Sequence, residues 1–277
     1  MERKQSGQPQ TEEDIYRKIS DMAEEQRDEL IQLRRDFHRY PETSWLEMRT
    51  SAKIAEYLTE LGMEVLTGKD VCREEARIGV PDSDILERHF SQVKEQGAPA
   101  RFLTEELEQG YTGVVGILRC GEGPTVALRF DIDALPMEEA EDLEHRPFRE
   151  GFSSQNPGMM HACGHDCHAA IGLGTARILS ELRDQLHGTV KFCSSLGRKG
   201  QRALTPWWKM AIWMESTILP ELMWRRTTRR TTGILPQEPT VHWLPVSITS
   251  SSTVRQLMQE VFRKKGKMPF WPQLMLQ

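Results

Sequence analysis

Between Glu12 and Tyr40 the apolar side chains Ile15, Ile19, Met22, Leu30, Leu33 and Phe37 recur at roughly the spacing of one helix face. Pro41 closes the run, so the stretch predicts a helix. A second helix is predicted over Ser44–Leu61, ended by Gly62, and a third over Asp82–Gln96. The pattern then changes. Gly113-Val114-Val115-Gly116-Ile117-Leu118 is a short apolar run, Gly121-Glu122-Gly123 a turn, and Thr125–Phe130 a second apolar run. They predict a pair of buried strands. Asp166–Leu186, with Ala, Ile and Leu on its inner face, predicts another helix, and Gly188–Phe192 begins a further strand. Strands alternating with helices give an α/β fold, a sheet flanked by helices.

Composition adds limits. A chain of 277 residues suits one large domain or two smaller ones. Charged residues make up 28%, and mean hydropathy is -0.55. No apolar run approaches the roughly 20 residues that span a bilayer. Met1–Asp14 is polar and lacks a signal-peptide core. Five cysteines, two of them in one cluster, make no disulfide framework. The expectation is a cytoplasmic protein with no membrane partner.

That cluster is His161-Ala162-Cys163-Gly164-His165-Asp166-Cys167-His168, with three imidazoles, two thiols and a carboxylate in eight residues. Cys and His are the ligands that zinc and similar ions prefer. Gly164 lets the backbone turn tightly enough to aim its neighbours at one point. The competing reading is a polar helix start with Cys163 and Cys167 as small buried residues. About 30 residues earlier, Asp131 and Asp133 sit where a strand runs out, and Pro136 fixes the exit turn. Chemistry in open α/β folds gathers at such strand ends. Metal-bound imidazoles need carboxylate partners, which ties these acids to the cluster. Solvated turn acids would look the same.

Leu128-Arg129-Phe130-Asp131-Ile132-Asp133-Ala134-Leu135-Pro136, followed by Gly158-Met159-Met160-His161-Ala162-Cys163-Gly164-His165-Asp166, resembles the aminoacylase-type metallopeptidases. These are amidohydrolases that include hippurate and indole-acetyl-amino-acid hydrolases. Arg34-Arg35-Asp36-Phe37-His38-Arg39-Tyr40-Pro41-Glu42 is similar to their N-terminal signature. Val71–Val80, Pro81-Asp82 and the acidic segment to Tyr111 resemble one subgroup, the A chains of aminobenzoyl-glutamate hydrolase. The resemblance runs from about Tyr16 to Phe192. It implies a two-metal site, with zinc or manganese, that cleaves an amide next to a free carboxylate. It further implies Cys163 and His165 as metal ligands, Cys163 as a candidate bridging thiolate, and Asp133 as the acid that orients the site. Asp131 lies where other branches place a ligand histidine, and is expected near the metals. His161 and His168 are expected around the ligands rather than as ligands, and His38 as a packing residue at a helix end. The implied substrate is an N-acyl amino acid or aminobenzoyl-glutamate, and the intact family implies homo- or hetero-oligomers.

The resemblance then stops. After Gly188-Thr189-Val190-Lys191-Phe192 the family has Gln-Pro-x-Glu-Glu-Gly, whose first Glu is the general base and whose second binds metal. This chain has Cys193-Ser194-Ser195-Leu196-Gly197-Arg198-Lys199-Gly200. Composition breaks at the same place. Six of the seven Trp lie after Phe192. Residues 193–277 hold 13 Lys and Arg against four Glu, near +9, with no Asp, Asn or Tyr, whereas residues 1–192 are near -14.

Reading the last base of each codon with the first two of the next forces Trp207-Trp208-Lys209-Met210-Ala211 to Val-Glu-Asn(or Asp)-Gly. Trp213-Met214-Glu215 is likewise forced to Asp-Gly. Where third bases are free, Ser194–Gly200 permits Gln-Pro-Gly-Glu-Glu-Gly, and three later stretches permit family-like segments in the family's order. The expectation is that residues from about Cys193 onward are an out-of-frame tail with no family domain, from a frameshift or a sequencing error. Residues 1–192 are then the N-terminal part of the catalytic domain, with a truncated sheet and a marginal core. Arg225–Arg230 has the charge of a nucleic-acid patch, but no specific nucleic-acid partner is expected.

Two functions fit the sequence. One is a metal-dependent amidohydrolase whose general-base Glu is missing from this chain. The other is a non-enzymatic truncated fragment whose basic tail binds anions.

Overall fold

The computed structural model describes residues 12–194, 218–222 and 242–246. The first predicted helix is two, α1 (Glu12–Glu25) and α2 (Arg27–Arg39), divided at Gln26. The backbone bonds Gln26 N to Met22 O and Leu30 N to Gln26 O bridge the division, so the apolar period runs on through it. Next come α3 (Met48–Glu60), β1 (Glu64–Thr67), α4 (Ser83–Glu95) and α5 (Glu105–Glu108). They are followed by β2 (Val114–Arg119), β3 (Thr125–Phe130), α6 (Arg146–Arg149), α7 (His165–Glu181) and β4 (Thr189–Ser194). β5 (Ile218–Leu222) and β6 (His242–Val246) complete the described elements.

The strands form one mixed sheet in the order β1-β2-β4-β3-β5-β6. β2 and β3 were expected to pair with each other; they do not. β4 lies between them, antiparallel to β2 and parallel to β3. The insertion is fixed at one end of the strands, where Cys120 N donates to Gly188 O and Thr189 N donates to Pro124 O. Gly123 and Gly188 meet there with positive φ, and a Cβ on Gly188 would stand 2.1 Å from Pro124 O. No other residue permits that approach.

The main core lies between one sheet face and helices α1, α2, α3 and α7. It includes Phe37, Leu58, Leu118, Leu128, Ile132, Leu173 and Phe192, all buried. Burying each such side chain contributes roughly 1.5–3 kcal/mol. A smaller cluster, with Trp45, Val115, Ala127 and Cys193, lies apart from it. α7 crosses β3 so closely that a Cβ on Gly172 would come within 2.8 Å of the Phe130 ring. This contact sets the distance between the start of α7 and the end of β3, where Asp131 follows.

Of residues 193–277, the described positions are Cys193 and Ser194 in β4 and the backbone pairing of β5 and β6, both parallel to their neighbours. Trp207, Trp208 and Arg225–Arg230 lie outside the described residues. Among the described residues, no helix is long and apolar enough to cross a membrane.

Candidate metal centre

β3 delivers Asp131 and Asp133 to the carboxyl end of the sheet, both buried. The loop that carries them is clamped on two sides. Ala134 N donates to Glu42 O at 2.7 Å, and Leu135 pairs antiparallel with Met160, through bonds of 2.9 and 3.0 Å. The second clamp brings His161–His168 against the aspartates across about 30 residues of chain.

Gly164 caps α7 with φ +78, a conformation that favours glycine, and its carbonyl accepts from Cys167 N and His168 N. The helix therefore begins at His165, not at Asp166 as the sequence suggested. His165 and His168 are then three apart on one helix face, with ring centroids 5.2 Å apart.

His165 Nδ1 lies 2.8 Å from the Asp133 carbonyl oxygen and 3.0 Å from Asp133 Oδ1. Ser44 Oγ donates to the other Asp133 oxygen at 3.2 Å. Arg129 Nη2 donates to Asp131 Oδ1 at 2.7 Å. One ligand atom each from Asp131, His165 and His168 lies within 4.8 Å of the other two. Ligand bonds of about 2.0–2.2 Å put two ligand atoms of one ion no more than about 4.4 Å apart, the same range as this spacing. His168 is buried and its Nδ1 has no hydrogen-bond partner. Two imidazoles, one of them with an orphaned ring nitrogen, and a carboxylate fit a divalent metal ion.

The six residues singled out in the sequence do not all meet. Asp131, His165 and His168 share the cluster, and Asp133 backs it. Cys163 is exposed and stands outside it. Burial and the charges of Asp133 and Asp131 push the Cys163 thiol up. His161 is buried with neither ring nitrogen bonded, and burial pushes it down to about 4. Burial, then the His165 charge, lowers His168. Burial alone would lower His165, but the Asp133 hydrogen bond and the Asp133 and Asp131 charges outweigh it and raise its pKa.

The N-terminal signature proves to be a brace. His38 is buried, with Nδ1 at 2.8 Å from Asp166 Oδ2 and Nε2 at 2.8 Å from Glu139 Oε1. Arg34 Nε donates to the same Asp166 oxygen at 2.8 Å. Burial would raise Asp166, yet the His38 hydrogen bond and the neighbouring imidazole and guanidinium charges hold it down to about 2. Asp166 sits in the first turn of α7, where a negative charge complements the helix dipole. Glu139 and Asp166 as His38's partners were not foreseen. No spacing in the sequence links positions 101 and 128 residues away.

Residues 127–196 match the model of peptidase family M20/M25/M40. This part of the chain is similar to that family. An indole-3-acetyl-aspartic acid hydrolase of Enterobacter agglomerans is 48% identical over 180 residues, 64% of this chain and 41% of that protein. The A chain of the p-aminobenzoyl-glutamate hydrolase of Escherichia coli is 46% identical over 175 residues, 62% of this chain and 40% of that one. The solved structure of an aminobenzoyl-glutamate utilization protein from Klebsiella pneumoniae superimposes with a TM-score of 0.58 at 32% identity. It covers 73% of this chain and 44% of that one. The chain thus spans about two fifths of the length of these relatives. The M20-type fold, a mixed sheet flanked by helices, is as the sequence predicted, and the family is one of hydrolytic enzymes.

Proposed function

We propose that this chain carries the front part of a metal-dependent amidohydrolase that cleaves an amide beside a free carboxylate, in an N-acyl amino acid or aminobenzoyl-glutamate. The observation that carries this reading is the His165–Asp133 pair at the end of β3, facing Asp131 and His168. The names of the Enterobacter and Escherichia relatives support the substrate class: both are hydrolases of an acidic amino acid bearing an aromatic acyl group. The Escherichia relative is named as one chain of a larger hydrolase, which supports a partner chain here. By the family resemblance the intact centre holds two zinc or manganese ions, with Cys163 and His165 among the ligands. A bound metal ion would lower the pKa of a water molecule and polarise the amide carbonyl. Asp133 would fix the His165 ring and its tautomer, and the Arg34–Asp166–His38–Glu139 brace would hold the first turn of α7 in place.

The water's proton still needs an acceptor. The family's Glu-Glu pair is missing after β4, where Ser195-Leu196-Gly197 stands. We read this chain as catalytically incomplete and residues from about Cys193 as an out-of-frame tail. Missing carboxylates and a tail near +9 favour, as a second reading, a fragment that binds anions without turnover. The coding DNA tests the first reading. A shifted frame that stays open past position 193 and encodes Glu-Glu, and a frame-restored protein that cleaves p-aminobenzoyl-glutamate with added zinc or manganese, are expected. Early stop codons in the shifted frame would contradict it.

A further inference from the structure

We propose that Arg77 and Lys69, both set against the ring of Tyr111, form a binding site for a small dicarboxylate. The inference goes beyond the hydrolase reading: it needs neither a metal ion nor turnover, and none of its residues belongs to the metal cluster.

Both cations come from the connection between β1 and α4, and Tyr111 from the turn before β2. The Arg77 guanidinium carbon lies 3.8 Å from the centre of the Tyr111 ring, and Lys69 Nζ lies 5.5 Å from it. The Trp45 ring is a second aromatic neighbour of Arg77, at 5.6 Å. An aromatic face attracts a cation but leaves most of its N–H groups in need of an acceptor. Arg77 Nη2 donates to the Gln109 carbonyl, and Arg77 Nε is buried with no partner. Among the described residues, neither Arg77 nor Lys69 pairs its charged group with a carboxylate.

The backbone holds both cations in place. Gly110, with φ +81, leaves the space that Arg77 fills: a Cβ there would stand 3.1 Å from Arg77 Nη2. Lys69 N donates to Glu106 Oε2 at 2.9 Å, which commits that carboxylate to the main chain. The planar fork of arginine suits a carboxylate, and the ammonium of lysine suits a second negative charge. Beside Arg77, Ile78 is 63% exposed, and its carbonyl is fixed by Trp45 Nε1 at 3.1 Å. An apolar side chain next to the guanidinium gives the methylene groups between two carboxylates a surface to rest on. A dicarboxylate thus answers both charges, where a single small anion answers one.

Calorimetric titration of glutarate into the purified, tag-free full chain in metal-free buffer tests this. Glutarate should bind, and its monomethyl ester and inorganic phosphate should bind more weakly. R77Q should weaken binding about tenfold or more, as loss of a charge-assisted hydrogen bond does, and K69Q by a smaller factor. Lys69 is exposed, so K69Q keeps the fold and decides alone if circular dichroism shows that R77Q does not. No binding, an ester or phosphate that binds as tightly as glutarate, or parent-like binding by either folded variant would overturn the proposal. Parent-like binding by both would assign the acid to the basic residues after position 193. None of these results touches the metal centre.

Discussion

One residue holds the His165 ring at two points: Nδ1 lies 2.8 Å from the carbonyl oxygen of Asp133 and 3.0 Å from its Oδ1. Backbone and side chain of a single strand-end residue thus set the tautomer and the rotation of the ring together. Asp133→Ala removes the carboxylate and keeps the carbonyl. Zinc affinity, measured by competition with a chromophoric chelator, should fall about 10–100-fold, the usual effect of losing a carboxylate behind a metal-bound imidazole. Unchanged affinity would show that the pair is a packing contact.

Glu42 closes the N-terminal signature and acts as a helix cap rather than as a reacting group. It is fully buried and accepts from Arg49 N at 2.9 Å, Thr50 N at 2.7 Å and His89 Nε2 at 2.9 Å. The two amides belong to the first turn of α3, whose N–H groups have no partner within the helix. Glu42→Ala also strands His89, and should destabilise the fold by about 3–5 kcal/mol in denaturant unfolding. A loss near zero would mean that water replaces the carboxylate.

The same pair makes stability depend on pH. Burial works against protonated His89, but the hydrogen bond to Glu42 and its charge outweigh burial and raise the pKa above 6.5. The folded state therefore binds the proton more tightly than the unfolded chain. The resulting stabilisation is full below about 6.5 and is lost as pH rises through the folded value. Unfolding midpoints measured upward from pH 6 should decline, and His89→Gln should flatten that decline. An equal slope in parent and variant would contradict the assignment.

Gly172→Ala tests the spacing between α7 and β3. The new Cβ would sit 2.8–3.0 Å from three atoms of the Phe130 ring, which is itself stacked on Phe192. Overpacking of this kind costs about 1–3 kcal/mol. Because Phe130 precedes Asp131, metal affinity should fall along with the melting temperature. A drop in stability with unchanged affinity would show that the sheet absorbs the shift before it reaches Asp131.

Much of this arrangement was legible in the sequence. α3, α4 and α7 follow from apolar period and from Gly62, Pro81 and Gly164 at their borders, and β3 from its unbroken apolar run. β1 was missed because Glu-Val-Leu-Thr is too short to show alternation, and it lies at a sheet edge. The order of β2, β4 and β3 was missed because chain order favours neighbours as partners, and the contact that separates them is between Gly188 and Pro124, far apart in sequence. Within the site, a helix start misplaced by one residue left His165 in a loop. Its shared face with His168 was then invisible, although the i, i+3 spacing was there to be read. The His38 brace depends on Asp166 and Glu139, which only the folded chain brings together.

On the function proposed above, the chain holds an amidohydrolase-type metal centre and lacks the carboxylate that takes the proton from water. Incubation of the purified chain with zinc or manganese and p-aminobenzoyl-glutamate, followed by the release of p-aminobenzoate, tests it most directly. No release above a metal-free control is expected. Metal-dependent turnover by the chain as it stands would contradict it.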